Sequence, residues 1–361
     1  MAAGHYRGVN GRGARSNRSG RFERHSDTAF DDGWGTIEDD PSRPHTKVLI
    51  DRARTAIRKN DSPDVPFDRS VNPYQGCEHG CVYCFARPTH AYYGRSAGLE
   101  FETDIFAKPN LPDLLRRELA RRGYRADVLA LGSNTDPYQP VEARLGITRA
   151  ILEVLAEHRH PVSIVTKSAS ILRDADLIAE LAARRLAHVY MSVTTLDSQL
   201  ARSMEPRASA PERRLRAIEA LAARGVPVGV LAAPMIPGLN DSEVEAILEA
   251  AAAAGAGSAG YVLLRLAAEI GPLFDEWLAE HYPDRRAKVL SLVRDTRGGR
   301  LYRAEFGERM RGTGPHAELL ARRFERARRS LGLAHRPDVF DRDAFRVPDP
   351  AVADGQLGLF A

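Results

Sequence analysis

Cysteine is scarce in this chain. Its 361 residues hold three, Cys77, Cys81 and Cys84, all inside the segment Cys77-Glu-His-Gly-Cys81-Val-Tyr-Cys84. Three clustered thiols cannot pair as disulfides without leaving one over, which argues against a disulfide-stapled secreted scaffold. Lysine is nearly as rare, at Lys47, Lys59, Lys108, Lys167 and Lys288, so arginine carries almost all the positive charge behind a net +4. Long apolar runs are missing as well. None approaches the ~18 residues of a membrane span, and Met1 to Gly20 is rich in Gly and Arg, without the apolar core of a secretory signal. Free thiols and these absences make the cytoplasm the expected compartment. An arginine excess fits bidentate contact with polyanions, and equally fits a genome-wide bias toward Arg and Ala codons.

At 43% hydrophobic residues the chain can bury one large core or two modest ones. Residues 1–65 are poor in aliphatics and read as a flexible basic segment, with Gly11-Arg-Gly-Ala-Arg-Ser-Asn-Arg-Ser-Gly-Arg-Phe22 as its most basic run. That run fits a nucleic-acid contact or a solvated tail. From about Phe67 apolar strands alternate with amphipathic helices. Strands are expected at 68–74, 127–132, 162–166, 188–193, 226–232 and 261–264, and helices at 111–122, 147–158, 175–185, 211–224 and 242–254. Leu215, Ile218, Leu221 and Ala222 show the helical spacing, and Gly225 and Asp241-Ser242 supply stop and start signals. The expected fold is α/β: a partial (β/α)6, TIM-like barrel of parallel strands over residues 66–282. A helical, Arg-rich extension follows over 283–335, then a flexible tail over 336–361. In such a barrel chemistry sits at the C-terminal strand ends.

The cysteine segment follows the first expected strand. A C-x3-C-x2-C spacing suits a cubane iron–sulfur cluster held by three thiolates, with the fourth iron open to bind a reactant. The competing reading is zinc, which needs four closed ligands in a structural site; His79, lying between two of the cysteines, is the available fourth.

Cys77-x3-Cys81-x2-Cys84, with Tyr83 before the last cysteine, resembles the signature of the radical S-adenosylmethionine superfamily. The six strand–helix units resemble that superfamily's partial barrel. Asn72-Pro-Tyr-Gln-Gly-Cys77 and Ala233-Pro-Met-Ile-Pro-Gly-Leu-Asn-Asp241 look most like its spore photoproduct lyase-like group. The resemblance implies a 4Fe-4S cluster on Cys77, Cys81 and Cys84 and S-adenosylmethionine as second cofactor. It also implies a one-electron donor such as flavodoxin or ferredoxin, and reductive cleavage to a 5'-deoxyadenosyl radical.

The strand ends offer a cradle for that cofactor. Ser133, Asn134 and Asp136 follow the second strand, where the superfamily contacts the methionyl amino group; a turn capping the next helix also explains Asp136-Pro137. Lys167 directly follows a buried strand, where an ammonium needs an anion, and the resemblance implies the methionyl carboxylate. Ser192 and Arg207 are further candidates for that carboxylate. Ile236 and the backbone of Tyr83 are candidates for the adenine.

For the substrate, the resemblance implies DNA lesion repair, but the lyase's extra hydrogen-donating cysteine has no counterpart here: the neighbourhood reads Leu131-Gly132-Ser133. Tyr138 or Tyr74 could stand in. At the other end, Gln356-Leu357-Gly-Leu359-Phe360 resembles the short motif that docks in the groove of the replication sliding clamp. The readings carried forward are a radical enzyme acting on DNA, a radical enzyme modifying RNA or protein, and a non-catalytic iron–sulfur nucleic-acid sensor.

Overall fold

The computed structural model describes residues 11–18, 22, 44–335 and 340–348. Among these, the strands in chain order are β1 (Lys47–Ile50), β2 (Arg58–Lys59), β3 (Arg69–Val71), β4 (Tyr74–Gln75), β5 (Asp104–Ala107), β6 (Leu129–Leu131), β7 (Val162–Thr166), β8 (Ala187–Ser192), β9 (Val228–Met235) and β10 (Ser258–Leu263). The α-helices are α1 (Glu100–Thr103), α2 (Leu111–Leu119), α3 (Glu142–Leu145), α4 (Ile147–Glu157), α5 (Ala175–Ala183), α6 (Ser198–Met204), α7 (Pro211–Ala222), α8 (Val244–Ala253), α9 (Ile270–His281), α10 (Pro283–Asp295) and α11 (Gly314–Ser330).

The main sheet runs β10-β9-β8-β7-β6-β3-β2, parallel except for the short antiparallel β2. Its six parallel strands lie in chain order. Successive neighbours are linked by crossovers, right-handed by the general rule, and α4, α5, α7 and α8 pack against the strands as the outer layer of a partial barrel. β7 shows the logic residue by residue: Val162, Ile164 and Thr166 are buried while Ser163 and Val165 are half-buried. Ile164, Val189, Val230 and Leu263 of the sheet join Ile151, Ile178, Ile218 and Ile247 of the helices in one core.

The parallel array is flanked at both ends. β2 pairs with β3, and beyond α11 Ala334 exchanges hydrogen bonds with Gly257 and Ala259 along β10. Such cover blocks edge-to-edge pairing. Among the described residues no helix is long and apolar enough to cross a membrane.

Three details differ from the sequence reading. The expected strand over 68–74 breaks at Pro73, which has no N–H to give a ladder. β3 stays in the barrel, while β4 joins β1 and β5 in a separate three-stranded sheet, so the cysteine segment follows β4. The fifth strand runs on to Met235 rather than stopping at 232. Within the expected flexible segment 1–65, the described residues pack into the fold: Arg12, Ala14, Ser16 and Ala56 are buried, and β1 and β2 each pair into a sheet.

Candidate active site

The cysteine loop is a series of tight turns. Gly80 N–H donates to Cys77 O, Cys84 N–H to Cys81 O and Arg87 N–H to Cys84 O. Gly76 and Gly80 take left-handed backbone with φ of +80° and +68°, and a Cβ at Gly80 would lie 2.7 Å from Glu102 Oε2. Neighbouring chain closes over the loop: Cys77 N–H donates to Phe101 O, Val82 N–H to Met204 O, and Arg207 N–H to His79 O.

All three cysteines are free, Cys77 and Cys81 buried and Cys84 half-buried. Burial pushes each thiol above its ordinary pKa, and for Cys77 the nearby Asp136 and the other two thiols add to the rise. Opposing this, Arg87 and Lys167 favour the thiolate of Cys84, and Lys167 and Arg214 that of Cys81. Among the described residues no three His, Cys, Asp or Glu side chains converge as a site for a single metal ion. A cluster, by contrast, spreads its thiolates over separate irons. His79 is engaged elsewhere, its Nδ1 3.3 Å from Asp136 Oδ2. The donor set therefore fits the cluster better than zinc.

Facing this loop are the ends of the barrel strands. Lys167, after β7, is half-buried; its Nζ donates to Ser192 Oγ of β8 at 2.8 Å and lies 5.8 Å from the Tyr83 ring centre. Burial lowers its pKa, while Cys81, Asp136 and Cys84 pull it back up. Ser192 Oγ donates in turn to Ala233 O at 3.1 Å. Ser133 Oγ and Asn134 N–H, after β6, both donate to Asn72 Oδ1 (3.4 and 3.2 Å), and Asn134 Nδ2 donates to Gln75 Oε1 at 3.1 Å. Ile236, Tyr83 and Cys81 belong to one apolar cluster with half-buried Cys84 against it.

Asp136 joins these pieces. Its carboxylate accepts from Thr166 Oγ1 (2.7 Å), Lys167 N–H (2.8 Å) and Tyr138 N–H (2.9 Å). Burial opposes its ionisation, but His79 and these donors win and hold its pKa at about 2. It serves as turn anchor and as a bridge between the cysteine loop and the Lys167 strand end.

Arg207 bonds to the cysteine loop rather than to Lys167 or Ser192 among the described residues. Its Nη2 donates to Glu78 Oε1 at 3.1 Å, at the edge of a cavity of about 630 Å3. The two tyrosines are enclosed: Tyr74 OH donates to Glu142, and Tyr138 is buried with its pKa raised by burial and by Asp174 and Glu142. Gln356, Leu357, Leu359 and Phe360 fall outside the described residues.

Two buried ion pairs went unread in the sequence. Arg87 and Glu102, each with a fully buried side chain, pair beneath the cysteine loop; Arg87 also donates to Cys81 O (2.9 Å), Ala97 O (3.0 Å) and Gly98 O (2.9 Å). Glu102 accepts from Gly13 N–H (3.0 Å) and Ala14 N–H (2.8 Å), which straps residues 11–18 across the loop. On the other side Arg214 pairs with Glu205, whose Oε1 also accepts from Tyr83 OH and Thr194 Oγ1, fixing the ring beside Lys167.

Comparison with known proteins accords with this geometry. The family described as the Radical SAM superfamily matches residues 71–251. An uncharacterized protein of Mycobacterium tuberculosis (strain H37Rv) is 39% identical over 232 residues, 64% of this chain and 68% of the relative. Another from Methanocaldococcus jannaschii is 28% identical over 197 residues, 55% of this chain and 71% of that one. Among solved structures, spore photoproduct lyase complexed with dinucleoside spore photoproduct superposes with a TM-score of 0.58 at 15% identity, covering 81% of both chains. That last likeness is one of fold.

Proposed function

This chain belongs to the radical S-adenosylmethionine superfamily and is a radical SAM enzyme, and we propose that Cys77, Cys81 and Cys84 hold a 4Fe-4S cluster beside a bound S-adenosylmethionine. When bound and reduced, these two groups supply a 5'-deoxyadenosyl radical, able to take hydrogen from unactivated carbon. The chain's own residues bind, orient and shield. Lys167, with Ser192, neutralises the methionyl carboxylate. Ser133 and Asn134 present oxygens to the amino group, on a turn that Asn72 and Gln75 hold in place. Ile236 and the backbone of Tyr83 take the adenine, with the Tyr83 ring fixed by Glu205 and Thr194.

One observation carries this reading: Lys167 is a half-buried ammonium just past a strand end, bonded to Ser192, its charge favoured by Cys81 and Cys84. A partly desolvated cation there is stabilised by a further anion besides Asp136, and the cofactor's carboxylate supplies one.

DNA is the proposed substrate class, with repair as the context and RNA or protein as alternatives. The likeness in fold to a lyase solved with a dinucleoside lesion supports it. The hydrogen return must differ from the lyase's, because the cluster claims all three thiols of the chain. Anaerobic reconstitution with iron and sulfide, then reduction with S-adenosylmethionine present, tests the reading. It expects 5'-deoxyadenosine, with deuterium passing between it and a labelled oligonucleotide. An intact reduced cluster that leaves S-adenosylmethionine uncleaved overturns it in favour of a redox-sensing role.

A further inference from the structure

Beside the cysteine loop lies the cavity of about 630 Å3, lined by Arg12, His45, Thr46, Glu78, Arg144 and Arg207 among others. It adjoins the cysteine loop, for Glu78 of its wall directly follows Cys77. Pro140, Val141 and Arg144 of its wall come from the chain leaving β6, and Arg207 from the chain beyond β8. Its volume is that of a small-molecule site.

The charge balance is uneven. Three guanidinium groups face the space against one carboxylate, and that carboxylate is fully used: Glu78 Oε1 accepts from Thr46 Oγ1 (2.6 Å) and Arg207 Nη2 (3.1 Å), and Oε2 from Val141 N–H (2.6 Å). Arg12 is buried, donating to Glu102 O at 2.6 Å, to Pro44 O at 2.8 Å and to Thr46 Oγ1 at 3.2 Å. Burial, and then repulsion from Arg207, lower its pKa, with Glu102 and Glu78 opposing. Arg144 is exposed at α3 and has no carboxylate partner among the described residues. Arginines gathered around a cavity at a cost in repulsion form a receptor for an oxyanion, and the guanidinium fork matches phosphate.

We propose that Arg12, Arg144 and Arg207 bind a phosphate group of the substrate in this cavity, next to the cysteine loop. The assignment of that ligand as substrate rests on the radical-enzyme reading above; the anion site itself does not. Under it, Arg207 serves the substrate rather than the methionyl carboxylate.

Reconstituted enzyme is titrated by calorimetry with inorganic pyrophosphate, a mononucleotide, a short oligonucleotide and citrate. The expected result is saturable binding of the phosphate compounds that weakens with salt, citrate being poorer. Arg144→Gln, a surface change that leaves the fold intact, should weaken the phosphate ligands about tenfold, the loss of one charge-assisted bond. Arg207→Gln should do the same, and Arg144→Lys should restore only part. An oligonucleotide binding more tightly than the mononucleotide assigns the site to a nucleic-acid phosphate, and equal binding assigns it to a free nucleotide. No phosphate binding, citrate binding more tightly than phosphate, or an Arg144→Gln variant binding as wild type overturns the proposal. Formation of 5'-deoxyadenosine by the same wild-type preparation, measured without these ligands, reports separately on the radical-enzyme reading.

Discussion

Arg87 and Glu102 form an ion pair with both side chains fully buried directly beneath the cysteine loop. The pair is multiply bonded: Arg87 ties Cys81 O to the 97–98 backbone, and Glu102 ties the loop to Gly13 and Ala14. Removing one partner strands the other charge. Glu102→Gln is therefore expected to cost about 3–5 kcal/mol and to release the strap over 11–18. Urea unfolding gives the first effect and iron content after reconstitution the second. A variant with wild-type stability and full iron loading would refute the loop-shaping role.

Gly132 ends β6 with φ +83°, and a Cβ there would stand 2.0 Å from Val165 O. Gly146 has a similar φ of +63° with nothing near its Cβ position. Gly146→Ala should therefore cost only backbone strain, about 1–2 kcal/mol. Gly132→Ala must also push β6 from β7, displacing Ser133 and Asn134, and should cost several times as much. Thermal unfolding of the pair of variants separates strain from collision; equal losses would remove the close approach as the reason for Gly132.

The six barrel strands and the cysteine loop were legible because each leaves a local mark: period-two burial, a helix after every strand, and three thiols at fixed spacing. Lys167 and Ser192 were legible through position, each lying at a strand's C-terminal end. The ion pairs were not. Arg87 lies 15 residues from Glu102 and looks like a surface arginine in a chain full of them. Residues 11–18 carry a composition that signals disorder, and only the fold supplies Glu102 and Glu276 to anchor them. Small Gly13, which could not carry a Cβ against Gly80 O, was the one available hint. The three-stranded sheet was hidden because β1, β4 and β5 are two to four residues long and β4 and β5 are interrupted by the cysteine loop.

Three buried histidines make the protein acid-sensitive. His90, His160 and His188 are each pushed down by burial to about 4 from an ordinary 6.5. Each is neutral in the fold, so between these values the unfolded chain binds more protons. Stability is full above pH 6.5 and is lost as the pH falls toward 4, by roughly 1–3 kcal/mol per histidine. His188 has the weakest polar support of the three, with no partner for Nδ1 among the described residues and Nε2 3.4 Å from Ser258 Oγ. Denaturant midpoints from pH 7 to 4.5 should fall steeply for wild type and less steeply for His188→Leu. Parallel curves would assign the acid loss to other groups.

Lys167 offers a separation of stability from binding. Its side chain is half-buried and its pKa is lowered by desolvation, with Ser192 Oγ as its hydrogen-bond partner, so Lys167→Met removes a partly desolvated charge and keeps the stem that packs near Tyr83. Such a replacement is expected to leave stability unchanged or slightly raised, with iron loading intact because no cluster ligand is touched. If the methionyl carboxylate is its anion, S-adenosylmethionine binding falls about tenfold to a hundredfold, the loss of a charge-assisted hydrogen bond of about 1.5–3 kcal/mol. Lys167→Arg should recover little, since a planar guanidinium cannot occupy the ammonium's place against Ser192. Equilibrium dialysis of reconstituted proteins with labelled S-adenosylmethionine reads the effect. Wild-type affinity in Lys167→Met, alongside full iron content, would sever this cation from the cofactor.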